Sequence, residues 1–352
     1  MERIIECVPN FSEGKNRAVI DGIAAAIAGA RTPDGKAVNL LDIDPGEAAG
    51  RTVYTFTGSP EAVVEAAYQG VRYAARAIDM RLHHGTHPRQ GACDVLPLIP
   101  VQGITLEECA QLARELAERI ARTLGIPSYC YEAAALKPER RNLAVCRAGE
   151  YESLPRKMAD PRLAPDFGPD RYDERVARSG AICIGARKFL IAVNFNLDTT
   201  SVPVAHEIAC DVRERGRKTV DADGTVHWSG GPLKGCKALG WYIEEYGIAQ
   251  VSMNITDMDA TPLHTAYETV CRAAEARGVH VTGTEIVGLV PARALIDAGR
   301  HFIGEGTEKT LPARTDGQWM QEAVRCMGLD DLRPFDLRKK VLQAPTATQR
   351  DA

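Results

Sequence analysis

The stretch RKFLIAVNFNL, Arg187 to Leu197, decides how this chain is divided. It is rich in β-branched and aromatic residues, closes on asparagines (Asn194 or Asn196), and reads as a strand. The segments after it come in a definite order. VPVAHEIACDVRER (202–215) has helical spacing, CKALGWYIEEY (236–246) and IAQVSMNIT (248–256) read as strands, PLHTAYETVCRAAEARG (262–278) as a helix, and VHVTGTEIVGLV (279–290) as a strand. A further helix is expected at PARALIDAGRHFI (291–303).

The same order runs from the N-terminus. RIIECVPN (3–10) reads as a strand ending on Asn10, NRAVIDGIAAAIAG (16–29) as a helix, KAVNLLDID (36–44) and RTVYTFTG (51–58) as strands. SPEAVVEAAYQGVRYAARAID (59–79) is a helix with Ser59 as N-cap and Pro60 at its first position, and CDVLPLIPV (93–101) is a strand. An added helix spans TLEECAQLARELAERIARTL (105–124), where Leu106, Cys109, Ala113, Leu116, Ile120 and Leu124 form one apolar stripe. Two copies of β-α-β-β-α-β predict an α+β protein of two tandem ferredoxin-like subdomains with extra helices. The expected boundaries are 1–182, 183–330, and a partly disordered tail at 331–352. Between the halves, residues 147–181 are rich in Pro, Gly and charge and read as a long connecting segment. RKTVDADGTVHWSGGPLKGCK (217–237) reads as a hairpin-like loop with solvated lysines. It lacks the spacing of a nucleotide phosphate loop.

At 352 residues, the chain exceeds the usual size of one hydrophobic core. Hydrophobic residues at 45% and charged residues at 26% are ordinary for a globular protein, and the net charge of −4 argues against general nucleic-acid binding. No apolar run nears the ~20 residues of a membrane helix, and MERIIECVPN is not a signal peptide. A cytoplasmic location is the resulting expectation, with the ten cysteines as thiols.

The chemistry concentrates in LHHGTHPRQGACDVLPLIP, Leu82 to Pro100, which holds three of the eight histidines: His83, His84 and His87. One reading is a metal site using His83, His87 and Asp94, but Gly85, Pro88 and Gly91 oppose the helix that would align them. A second is a solvated loop. A third is acid–base catalysis, since a histidine both gives and takes a proton near pH 7. Cys93 reads as a small buried residue at a strand start.

ECVPNFSEGKN, LLDIDPGEAAGRTVYTFTG, HHGTHPRQGACDVLPLIPV, RAGEYESLP, APDFGP and GARKFLIAVNFNL together resemble the formiminotransferase family, and GWYIEEYGIAQVSMNITD, TPLHTAYE and EIVGLVPARAL extend the match over residues 3–330. The resemblance implies transfer of a formimidoyl group from N-formimidoyl-L-glutamate to N5 of tetrahydrofolate, a step of histidine breakdown. It implies a homodimer acting on small molecules, with no metal, nucleic acid or membrane, and no appended cyclodeaminase domain. The family's catalytic histidine falls on His87, in its H-P-R-x-G motif, and His83 also matches a family histidine. His84 stands where animal members carry lysine. The folate stretch falls on Gly168, Pro169 and on to Gly180, where this chain differs in sequence.

Further assignments accompany the resemblance. Asp44 is a candidate to orient His87 or to hold the cationic formimidoyl group, against its reading as a turn aspartate before Pro45. Arg51 and Arg89 are candidates for glutamate carboxylates, against structural ion pairing. Asn10, Asn194 and Asn254, each expected to close a strand, are candidates to bind the pterin or the adduct.

Overall fold

The computed structural model describes residues 2–304 and 314–342. The chain divides into two units, Met1–Lys188 and Phe189–Ala352.

In the first unit, β1 (Ile4–Cys7) and β2 (Asn10–Phe11) are successive parts of one strand position. Helix α1 (Arg17–Ala28) starts where Asn16 accepts the N–H groups of Ala18 and Val19, and it buries Ile20, Ile23 and Ile27. The next two strands are β3 (Asn39–Gly46) and β4 (Arg51–Gly58). Helix α2 (Pro60–Ala77) is capped by Ser59 with Pro60 in its first turn, as the sequence predicts. β5 (Cys93–Gln102) comes after the histidine loop. Then α3 (Leu106–Leu124) is held by a Thr105–Glu108 capping box and buries Cys109, Ala113, Leu116 and Ile120. β1 and β2 lie between β4 and β5, antiparallel to both, and β3 pairs with the outer side of β4.

The sheet does not stop at β5. β6 (Ser128–Glu132) succeeds α3; then come the short helices α4 (Leu143–Cys146), α5 (Leu154–Ala159) and α6 (Glu174–Ser179), and β7 (Ile182–Ala186). β7 inserts in parallel between β5 and β6. Residues 147–181, expected as a connecting segment, are thus folded onto the first sheet. A buried ion pair anchors them: Arg140 Nη1 lies 2.5 Å from Asp166 Oδ1, and Asp166 Oδ2 accepts the Cys130 N–H at 2.8 Å. The first unit therefore continues past residue 182, through the whole of β7.

The second unit begins with β8 (Ile191–Leu197) and α7 (Val202–Val212). A hairpin of β9 (Lys218–Val220) and β10 (Val226–Trp228) comes next, then β11 (Cys236–Ile243) and β12 (Ile248–Ile255). Helix α8 (Leu263–Glu275) leads to β13 (Val281–Val287), β14 (Val290–Pro291) and α9 (Ala292–Ile303). The sheet order is β11-β12-β8-β13, all antiparallel. β8 alternates: Ile191, Val193, Phe195 and Leu197 enter the helix-covered core, and Asn194 and Asn196 take the opposite face. A helix not expected from the sequence, α10 (Asp316–Met327), is capped by Thr315 and packs Met320, Ala323, Val324 and Met327 into this core. Residues 331–342, expected as tail, contain α11 (Leu337–Lys340) and β15 (Val341–Leu342), and β15 pairs in parallel with β14. The rest of the expected tail, residues 343–352, lies outside the described residues.

Candidate active site

The histidine loop between α2 and β5 is held by backbone at both ends. At its start, the Met80 N–H donates to Arg178 O at 2.9 Å, and the Thr86 N–H donates to Ala48 O at 3.1 Å. Gly85 crosses the β3–β4 turn so closely that a Cβ would stand 2.4 Å from Ala49 O. At its end, Gly91 bridges Gly180, and a Cβ on Gly180 would meet Gln90 O at 2.3 Å. Gly180 also has φ +66°, so glycine is required there twice over.

This scaffold frames a small cavity, partly open to solvent, lined by Asn10, Ser12, Gly50, Arg51, His83, His87, Arg89 and Asp94 among others. His87 Nδ1 donates to its neighbour's carbonyl, Pro88 O, at 2.7 Å. In the neutral ring this leaves the lone pair on Nε2. Arg51 Nη1 lies 2.5 Å from both ring nitrogens. Burial first, then the Arg51 and Arg147 cations, hold the His87 pKa well below the ordinary histidine value, so the ring is a neutral base at pH 7. Burial likewise pushes Arg51 down to about 10.

His83 has the opposite tautomer. Its Nε2 donates to Gly50 O at 2.7 Å, and its Nδ1 is buried without a hydrogen-bond partner. Burial lowers its pKa also. His84 is exposed. Each of the two lining histidines is thus oriented by a backbone carbonyl, and no group of three potential metal ligands lies close enough to hold an ion among the described residues.

The cations differ in how far they are committed. Arg89 Nη2 donates to Glu152 Oε1 at 2.6 Å, Nη1 lies 3.3 Å from Glu150 Oε2, and the Arg89 N–H donates to the same Glu150 carboxylate. Glu150 adopts φ +55°, an uncommon conformation for a residue with a side chain. This ion pair staples the folded segment 147–181 to the loop. Asp94 is the carboxylate in the lining. Its Oδ1 accepts the Gln90 N–H at 2.9 Å, and Arg147 Nη1 lies 3.4 Å from its Oδ2 and donates to Pro88 O at 3.1 Å. Arg147 is a residue that sequence reasoning missed, because only the fold carries it to the loop.

Of the other expected site residues, Asn10 is in this lining and the rest fall outside it. Asp44 lies on β3 opposite Val53, outside the cavity lining. Gly168 and Pro169 come directly after Phe167, which bridges Ser128 of β6. Asn10 opens β2, and its Nδ2 donates to Val8 O at 3.1 Å. Asn194 sits inside β8 rather than at its end, with its Nδ2 donating to Glu285 Oε2 at 3.0 Å. Asn254 is exposed on β12, opposite Lys237. Cys93 opens β5, and its thiol is pushed well above its usual pKa by burial and by Cys7 and Asp94, which suits an inert core position. All ten cysteines are free thiols.

The chain matches known proteins along nearly its whole length. Residues 4–187 match the formiminotransferase domain, N-terminal subdomain, and residues 192–345 match the formiminotransferase domain. It is 45% identical to formimidoyltransferase-cyclodeaminase of Sus scrofa over 97% of this chain, but spans only 60% of that relative's length. It is 44% identical to glutamate formimidoyltransferase of Streptococcus pyogenes serotype M1 over 86% of this chain and 94% of the relative. The corresponding protein of Thermoplasma acidophilum is 39% identical over 85% of this chain and 92% of its own length. With both subdomains matched in order and the H-P-R-x-G loop built into a polar cavity, the chain belongs to the formiminotransferase family.

Proposed function

We propose that this protein transfers the formimidoyl group of N-formimidoyl-L-glutamate to N5 of tetrahydrofolate and releases L-glutamate, in histidine degradation. The observation that carries the reading is the neutral His87 ring, with Nδ1 committed to Pro88 O and Nε2 facing the Arg51 guanidinium, which swings to the donor's carboxylate when substrate binds and leaves Nε2 as the base. The names of the bacterial and archaeal relatives support the reaction class.

In this reading N5 attacks the formimidoyl carbon, and the C=N π pair moves to nitrogen, giving a tetrahedral adduct. His87 Nε2 takes the proton that N5 must lose. It returns a proton to the glutamate nitrogen, the pair on the imino nitrogen re-forms the C=N bond, and the bond from carbon to the glutamate nitrogen breaks, leaving N5–CH=NH and free glutamate. One base placed between two nitrogens serves both transfers, so no thiol or metal takes part. Arg51 holds a glutamate carboxylate and His83 lies beside the transferred group. Asn10 contributes to substrate binding, and Asp44 assists His87. The stretch around Gly168, Pro169 and Gly180 receives folate. Both units are ferredoxin-like in this reading, which the strand order β11-β12-β8-β13 and its counterpart around β1 support. The protein acts as a cytoplasmic homodimer.

The test mixes the protein with tetrahydrofolate and N-formimidoyl-L-glutamate and tracks folate mass and free glutamate together. The expected result is 5-formimidoyltetrahydrofolate formed in step with glutamate. Glutamate release without folate would make the protein a hydrolase and remove the reading.

A further inference from the structure

Three hydrogen-bond acceptors among the residues of the cavity are buried and lack a donor. They are Asn10 Oδ1, His83 Nδ1 and Asp94 Oδ2. Asp94 is 3% exposed, so water gives it little relief. Its other oxygen is used by the Gln90 N–H, and Arg147 Nη1, 3.4 Å away, makes an ion pair without a hydrogen bond to Oδ2. Asn10 is turned so that its amide donates to Val8 O, which leaves only its oxygen unused. His83 donates through Nε2 to Gly50 O, which leaves only its lone pair. Each side chain has its donor spent on backbone, or has none, and each has an acceptor left over. One donor in the lining, Arg89 Nε, is also unpartnered. Buried acceptors without donors are costly, on the order of 1–3 kcal/mol each, and native proteins keep few of them.

We infer that Asn10, His83 and Asp94 form an acceptor-rich subsite that receives the N–H groups of an amidinium and so selects a formimidoyl donor over its formyl analogue. The inference rests on the proposed transfer reaction and deepens it. A protonated formimidoyl group, –NH–CH=NH₂⁺, presents three N–H donors and a positive charge. The formyl group, –NH–CH=O, is nearly the same size but ends in an acceptor. The formyl group keeps one N–H, so against three acceptors it leaves two of them without a donor and sets its oxygen against an acceptor. A site built to hydrogen-bond an N–H rejects an analogue lacking it far more strongly than shape alone does. The sequence offered Asp94 only as a possible metal ligand.

Asp94→Asn tests this with little change of shape. The amide oxygen keeps the Gln90 N–H, and the amide nitrogen places a donor where Oδ2 was. Measure kcat/KM for N-formimidoyl-L-glutamate and N-formyl-L-glutamate with tetrahydrofolate, and the Kd of each donor by calorimetry. The wild type is expected to favour the formimidoyl donor by at least about 10²-fold. Asp94→Asn is expected to cut that preference at least about tenfold in both kcat/KM and Kd. Asn10→Ser, which shortens one acceptor without touching the Arg147 pair, is expected to cut it about three- to tenfold and covers the case in which Asp94→Asn does not fold. If the wild type transfers the formimidoyl group but neither variant moves the donor ratio beyond twofold, the subsite is only hydrated and the inference falls alone. A wild type that transfers no formimidoyl group removes the parent reading instead.

Discussion

The two units share a strand order but treat their polar side chains in opposite ways. In the second unit, the sheet face carrying Asn194 and Asn196 closes on itself. Gln250 Nε2 donates to Asn196 Oδ1 at 2.8 Å, Trp241 Nε1 donates to Gln250 Oε1 at 2.9 Å, and Tyr246 Oη donates to Glu285 Oε1 at 2.9 Å. Asn196 and Gln250 are fully buried. In the first unit, Asn10 stands at the comparable end of the comparable strand, and its oxygen has no partner. Satisfied buried networks rigidify a fold, whereas unsatisfied groups store binding capacity. The contrast separates a framework from a site.

The largest expected effect that tests this division is His87→Ala. Turnover should fall roughly 10²–10⁴-fold, the usual weight of acid–base catalysis, with folate affinity by titration little changed. Added zinc should not restore the rate. Near-normal turnover in a folded variant would sink the proton-transfer role.

The framework side is broken by Gln250→Ala. It removes the donor to Asn196 Oδ1 and the acceptor of the Trp241 Nε1–H, and should cost on the order of 2–3 kcal/mol. The three tryptophans, Trp228, Trp241 and Trp319, all lie in the second unit, so urea unfolding monitored by their fluorescence reports that unit alone. An unchanged midpoint together with a raised KM would turn the network from framework into site.

A finer test uses Arg51→Gln and the pH profile of kcat/KM. The His87 pKa is lowered in the folded protein, so the neutral base survives acidification further than an ordinary histidine. The acid limb is therefore expected below about pH 6.5. Removing the Arg51 cation takes away one of the causes and should move that limb to higher pH, while burial keeps it below 6.5. A limb that stays in place would detach Arg51 from His87. Smallest of all, exposed His84→Ala should change turnover less than about threefold, with His83→Ala falling between it and His87→Ala. Equal losses at all three would favour a shared ligand role.

Much of this molecule is legible from local pattern. β4 matches RTVYTFTG residue for residue, and α2 begins at the cap that Ser59 announces. Strand and helix periods are short-range properties, so eleven to eighteen residues suffice to show them. The histidine loop was legible for the same reason: its residues are neighbours in sequence. β6 and β7 were not. SYCYE and ICIGA are short, and as parallel strands their partners lie across helical crossovers, so nothing nearby marks them.

Residue types and spacing by themselves determined the tandem order and the loop that carries the three histidines, and the resemblance of the motifs pointed to the family. Only the tertiary structure decided which polar groups are spent and which are spare. Arg89 looks like a ligand for a carboxylate until Glu150 and Glu152 arrive from the far side of β6. Asp94 looks like a metal ligand until Gln90 takes one oxygen and Arg147 pairs with the other without a hydrogen bond. Hydrogen-bond satisfaction is a property of partners brought together across tens of residues, and the one-dimensional pattern does not contain it.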